Sequence, residues 1–183
     1  MIIPYEAPQG RRLHVIGGYF SHGPQAGKFE FASVASLPQS KAKCPRKTRA
    51  ERAADHGLEE EEVGALDSEF FLAFIWQTAG RPTEAPPGWR RECPLTVVVD
   101  NYQAHKSERV KAELPLLAAA GITLIYLPAY CPELSRIEPI WNDVKYQGLP
   151  QRSYPTLGKL KQAVDTALVA KRWELRARRE SAQ

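Results

Sequence analysis

Two acidic residues stand apart from the rest by their settings. Asp100 closes the run LTVVVD (95–100), and Glu138 lies in LPAYCPELSRIEPIW (127–141), a stretch held by Pro128, Pro132 and Pro139. Ile137, Pro139, Ile140 and Trp141 surround Glu138. A solvated surface glutamate has no need of such stiff apolar framing; a carboxylate that must point in one direction does. The run ITLIYLP (122–128) precedes this loop. If it pairs in parallel with LTVVVD, both chains leave the sheet at one edge, where open α/β sheets build their sites. Two carboxylates at such an edge suit a hard cation, Mg²⁺ or Mn²⁺. A pair of such ions about 4 Å apart activates an attacking oxygen and stabilises a leaving one in phosphodiester displacement.

Each acid also has a plain structural role open to it. Asp100-Asn101 is good turn chemistry. Ser135-x-x-Glu138 matches a capping box, but that register puts Pro139 at the fourth helical position, where an amide hydrogen is needed. Pro139 fits better at the first helical position, which leaves Glu138 at the helix entrance and its side chain free to face Asp100.

The elements that must carry these residues read as follows. RRLHVIGGYF (11–20) and KFEFASVAS (28–36) form a hairpin across the turn-rich SHGPQAG. Phe29, Phe31 and Ser33 share one face of the second strand. The segment from Leu37 to Leu66 is polar, first basic and then acidic, and reads as an exposed linker or a short solvated helix. LDSEFFLAFIWQTAG (66–80) is a helix capped by Asp67, with core aromatics at Phe70, Phe71 and Phe74. LTVVV and ITLIY have the apolar continuity of strands buried on both faces. Between them Ser107 opens a helical stretch that Pro115 should split in two. Ile140, Trp141 and Val144 mark another helix. Thr156 caps a long last one, whose stripe is Leu157, Leu160, Val164 and Leu168.

Strand–helix–strand units with right-handed crossovers, added to a hairpin, give a mixed α/β sheet. The 183 residues suit one domain. We expect a core over 1–150, with a polar insertion at about 38–65, and a basic helix over 151–183. Net charge +4 permits a nucleic-acid partner without demanding one. Cys44, Cys93 and Cys131 are too scattered for a zinc site or a disulfide framework. No run reaches the roughly 20 apolar residues that span a bilayer, and no signal peptide opens the chain. A cytoplasmic setting with reduced thiols follows.

VVVDNYQAHKSERV followed by GITLIYLPAYCPELSRIEPIW closely resembles the catalytic core of DDE transposases of the mariner superfamily, in the bacterial insertion-sequence branch often labelled DDE superfamily endonucleases. The matching signature is an apolar strand, Asp-Asn, a histidine four residues after the Asn, then YLPxYxPELxxIEPxW. It covers Leu95 to Lys145 strongly and the hairpin loosely.

The resemblance implies a ribonuclease-H-like fold and Mg²⁺- or Mn²⁺-dependent cutting and joining of transposon-end DNA by three acids. Asp100 is then the second acid and Glu138 the third. Asn101 and His105 belong to the same motif; they orient the metal ligand or the DNA backbone, or close the loop, and the sequence leaves these open. Tyr130, Pro132 and Pro139 shape the loop that aims Glu138. Lys106, Arg136 and Lys145 are candidate phosphate contacts.

The first acid, expected on a strand before the hairpin, has no match. Glu6, in a proline-flanked loop, is a poor substitute. The resemblance thus implies a C-terminal portion of a transposase without its first strand, inactive and marginally stable alone. Its partners are transposon-end DNA, an upstream transposase segment bringing the first Asp, and a second copy in a homodimer. Its setting is the bacterial cytoplasm, on the nucleoid when bound. The alternative is a non-catalytic DNA-binding or assembly module that retains the fold.

Overall fold

A computed structural model describes residues 12–37, 47–128, 131–149 and 153–181. Glu6, Arg11, Cys44 and Tyr130 lie outside the described residues. The elements are strands β1 (Arg12–Tyr19) and β2 (Phe29–Ser36), helices α1 (Arg49–Ala54) and α2 (Ser68–Thr78), strand β3 (Leu95–Val99), helix α3 (Glu108–Ala119), strand β4 (Ile122–Tyr126), and helices α4 (Glu138–Asp143) and α5 (Leu157–Glu180). The chain divides into two compact units, 1–65 with 139–183, and 66–138.

In the first unit β1 and β2 pair antiparallel, from Arg12 opposite Ser36 to Tyr19 opposite Phe29. Helix α5 crosses this hairpin. Ser33 Oγ donates to Asp165 Oδ1 (2.5 Å), and Arg172 Nε donates to the Phe29 carbonyl (3.1 Å). The Arg172 guanidinium also lies over the Phe31 ring, 4.4 Å from its centre. The α5 stripe buries Leu157, Val164 and Leu168 as its 3.6-residue period requires, and Ala167 and Lys171 with them. Lys171 is buried only because its ammonium meets Asp143 (2.6 Å) and Glu174 (3.0 Å).

The polar stretch before α2 is more ordered than its composition suggests. Thr48 and Glu51 form a reciprocal capping box at the start of α1. Ala53 and Leu58 then bury themselves against Ala35 and Leu157. Here one buried face outweighs a charge-rich sequence, so residues 49–54 are helix and not linker. The first turn of α5 approaches this segment so closely that a Cβ on Gly158 would stand 1.9 Å from the Gly57 carbonyl oxygen.

In the second unit β3 and β4 pair in parallel, Leu95 opposite Ile122 and Val99 opposite Tyr126. The crossover between them contains α3, capped by Ser107, whose hydroxyl accepts from the Val110 amide. Gly121, at φ +79, turns the chain out of α3 into β4. Helix α2 starts on Asp67, whose carboxylate accepts from the Phe70 amide, and buries Phe71, Leu72, Phe74 and Ile75.

Two expectations change. Pro115 does not split α3, which runs unbroken over Glu108–Ala119 with the proline inside. Val110 and Leu117, both fully buried, anchor the helix on either side of it, so one missing hydrogen bond does not end the helix. Nor are β3 and β4 buried on both faces. Val98 and Ile125, directly opposite each other, are 55% and 50% exposed, and Thr96 and Thr123 are exposed beside them. Continuous apolar runs signal two covered faces in a full sheet; this pair, hydrogen-bonded to no further strand among the described residues, has one face open to water.

Candidate active site

The parallel register sends both strands out at one edge. Beyond the last pair, the Leu127 amide donates to the Val99 carbonyl (2.9 Å). Asn101 then fastens the two departing chains: its Nδ2 donates to the Leu127 carbonyl (2.6 Å). Asp100 therefore stands at the C-terminal edge of the sheet, next to the start of the loop that leads to Glu138.

The Asp100 carboxylate uses its two oxygens differently. Oδ1 accepts from the Tyr102 amide (2.9 Å), an Asx-type turn, and lies 2.8 Å from His105 Nδ1. Oδ2 has no partner among the described residues, and the side chain as a whole is 66% exposed. An ionised carboxylate with one oxygen fixed and the other open to solvent is a good hard-donor ligand.

His105 is the opposite case, 9% exposed. Its ring packs on Phe71 of α2, with centroids 4.1 Å apart, and meets Tyr102 edge-on at 5.5 Å. The His105 contact to Asp100 is close but poorly aligned for a hydrogen bond, and Nε2 is buried with no partner among the described residues. The backbone around it is pinned from two sides. Tyr126 Oη donates to the His105 carbonyl (2.7 Å). Ser68 Oγ of α2 donates to the Ala104 carbonyl (3.2 Å) and contacts Ser107 Oγ (2.7 Å). Burial pushes the Tyr126 phenol above its ordinary pKa, so it remains a donor. Lys106, exposed, reaches over the Tyr126 ring at 5.8 Å.

Glu138 is exposed and starts α4 one residue earlier than expected, so Pro139 takes the second helical position, still within the turn that needs no amide donor. The Glu138 amide donates to the Ser135 carbonyl (3.2 Å), and Pro132 opens a short 3₁₀ turn, Pro132–Leu134. Arg136 and Lys145 are both exposed, the latter over the Tyr146 ring at 5.1 Å.

The structure thus gathers Asp100, Asn101 and His105 around one strand end and places Glu138 on the helix that follows the same sheet edge. Phe71, Ser68 and Tyr126 support this cluster and were missed as such. The aromatics of α2 read only as core, and Tyr126 only as a strand residue. Its place at the last pair of the sheet, next to the departing loop, was the available signal. Among the described residues no three His, Cys, Asp or Glu side chains come together as a metal cluster.

The model of the DDE superfamily endonuclease family matches residues 56–161, more than half of the chain. The chain belongs to that family. No curated protein and no solved structure matches it. The matched span contains the strand end at Asp100 and the proline-framed loop through Glu138. A mixed α/β architecture with small sheets and flanking helices agrees with the ribonuclease-H-like fold of DDE enzymes. Family membership carries a transposase-like nuclease domain, a nucleic-acid substrate, and a general use of divalent metals. Among the described residues no helix is long and apolar enough to cross a membrane.

Proposed function

We propose that the chain is the C-terminal part of the catalytic core of a mariner-type bacterial insertion-sequence transposase. It cleaves and joins DNA at transposon ends, with Asp100 as the second acid and Glu138 as the third. The observation that carries this reading is the Asp100 carboxylate itself. It is fixed at a parallel sheet edge through one oxygen, with the other unpartnered among the described residues, inside a span that matches the endonuclease family.

The donor set fits a hard divalent cation, Mg²⁺ or Mn²⁺: both acids are exposed carboxylates. Such ions, when bound, supply activation of the attacking oxygen and relief of charge on the leaving one. The chain's own residues then have definite tasks. Asp100 and Glu138 present hard oxygens. Asn101 keeps the two strand ends at a fixed spacing. Pro132 and Pro139, with Tyr130 between the sheet and the helix, restrict the loop that aims Glu138. Lys106, Arg136 and Lys145 offer exposed cations to phosphates.

The first acid is proposed to come from an upstream transposase segment. Strand β1 has no acid, and the one acid of β2, Glu30, is occupied by Lys28 (3.0 Å) and Arg172 (3.1 Å). An added strand would also suit β3 and β4. A two-stranded parallel sheet with Val98 and Ile125 in water is not independently stable. Alone, the chain is inactive and marginally stable. The complete enzyme works in the bacterial cytoplasm, on the nucleoid, as a homodimer on paired transposon ends.

A second reading, a non-catalytic DNA-binding or assembly module, draws on the incomplete donor set among the described residues and the basic end of α5. Cleavage of terminal-repeat DNA with Mg²⁺ or Mn²⁺, with and without the upstream segment, separates the two. The enzyme reading expects cleavage only with the segment, abolished by Asp100→Asn and by Glu138→Gln. Salt-sensitive DNA binding that neither substitution alters, without cleavage in any combination, supports the module instead.

A further inference from the structure

Asp100 and Asn101 have clear tasks in that site; the motif histidine does not. His105 is buried, yet neither ring nitrogen has a well-formed hydrogen bond. A buried imidazole normally finds partners for both nitrogens, since an unsatisfied polar atom costs about 1–3 kcal/mol. A ring kept only to fill space beside Phe71 would be better replaced by an apolar one. Among the described residues, the polar group found against its Nδ1 is Asp100 Oδ1, at 2.8 Å.

The surroundings fix the ring rather than the carboxylate. Phe71, 2% exposed, stacks on one face. Tyr102 abuts the edge. Tyr126 Oη holds the residue's own carbonyl, and Ser68 holds that of Ala104. Asp100, by contrast, is mostly in solvent and has only the Tyr102 amide as an aligned donor. A rigid donor next to a loosely held ligand is the arrangement that orients metal-binding carboxylates. Polar contacts in empty sites are often misaligned and tighten once the site fills.

We propose that His105 is a positioning residue for the Asp100 carboxylate: its Nδ1–H holds Oδ1, which leaves Oδ2 as the oxygen offered to the divalent cation. This assigns a hydrogen to Nδ1, the nitrogen that faces Oδ1. The inference rests on the reading of Asp100 as a metal ligand.

The test is Mn²⁺ binding to the full chain, followed by the loss of the free-ion paramagnetic resonance signal, alongside thermal melts without metal. Asn at position 105 returns an N–H close to where Nδ1 stood; Leu has the same size and no donor. Both lose the stack on Phe71, and Asn also buries an amide that Leu does not, so His105→Asn should melt no higher than His105→Leu. His105→Leu is expected to weaken Mn²⁺ binding about tenfold or more, and His105→Asn to stay within about threefold of wild type. His105→Phe keeps an aromatic ring and should lose affinity like the Leu variant while melting closer to wild type. Nitrogen-15 spectra of the wild-type ring should show Nδ1 protonated.

Equal Mn²⁺ affinity in the Asn and Leu variants, or a ring protonated at Nε2 alone, overturns the positioning role. Asp100→Asn serves as the control for the site. If it binds Mn²⁺ as wild type does, the metal-ligand reading fails and this inference with it. If it binds weakly while the Asn and Leu variants coincide, this inference alone fails.

Discussion

Asp100 shows how much of a strand end one side chain can declare in advance. An aspartate closing a run of β-branched residues, followed by Asn, was legible as a strand end with turn chemistry, and both contacts are present: Asp100 accepts from Tyr102, and Asn101 reaches Leu127. The stacking of His105 on Phe71 was not legible, because it joins residues far apart in sequence, and spacing carries no information about which buried aromatic meets which ring. The ion pairs that set acid stability are mixed: Arg109–Glu113 is an i,i+4 helix pair that spacing allows, whereas Lys161–Glu62 and Lys171–Asp143 join distant segments. The Arg109 hydrogen bond holds the Glu113 carboxyl below its ordinary range, against burial and with help from Trp76. The backbone of Glu59, and Lys161, do the same for Glu62, and Lys171 for Asp143. A carboxyl whose pKa is lower in the folded chain binds fewer protons there than in the unfolded chain as acid is added. The stability it contributes is therefore complete above the unfolded value, about 4 to 4.5, and is lost as pH falls through the lower folded value. Melting temperature should accordingly be insensitive to these groups from about pH 7 to about pH 5 and fall steeply below about pH 4. Glu113→Gln should flatten part of that fall; an acid limb unchanged by the substitution would show that Glu113 is not one of its causes.

At the scale of elements the sequence was most readable where a side chain closes a backbone bond. Asp67, Ser107 and Thr156 were each expected as helix caps, and each accepts from the amide three residues on. It was least readable where tertiary burial overrides a local rule. Helix α1, one of the two readings open for its polar stretch, forms because Ala53 and Leu58 reach the hairpin and α5. Helix α3 continues through Pro115 because Val110 and Leu117 are packed on both sides of it. Pro115 itself is exposed, and its missing amide leaves the Lys111 carbonyl without its helical donor. Pro115→Ala should supply that donor and stabilise the chain by about 1–3 kcal/mol, raising Tm by about 2–4 °C for each kcal/mol. A lower Tm in a reversible melt would mean that the ring's restriction of the unfolded chain outweighs the helical bond.

For the molecule as a whole, strand order and parallel pairing followed from the alternation of apolar runs with a capped helix, whereas burial did not. Runs such as LTVVV and ITLIY record the environment of a complete sheet, and Val98 and Ile125 stand in water here. That mismatch marks a sheet face without a covering layer among the described residues. Metal binding sets what the two acids must do. Asp100 at the end of β3 and Glu138 at the start of α4 belong to one compact unit, 66–138, and the account requires their carboxylates to meet over one ion. Anomalous diffraction from crystals of the chain soaked in Mn²⁺ measures this directly. The account predicts a manganese peak with an oxygen of Asp100 and an oxygen of Glu138 each directly bonded to it at about 2.1 Å. A peak held by one acid with the other turned to a different face of the unit, or manganese bound at neither, would contradict it.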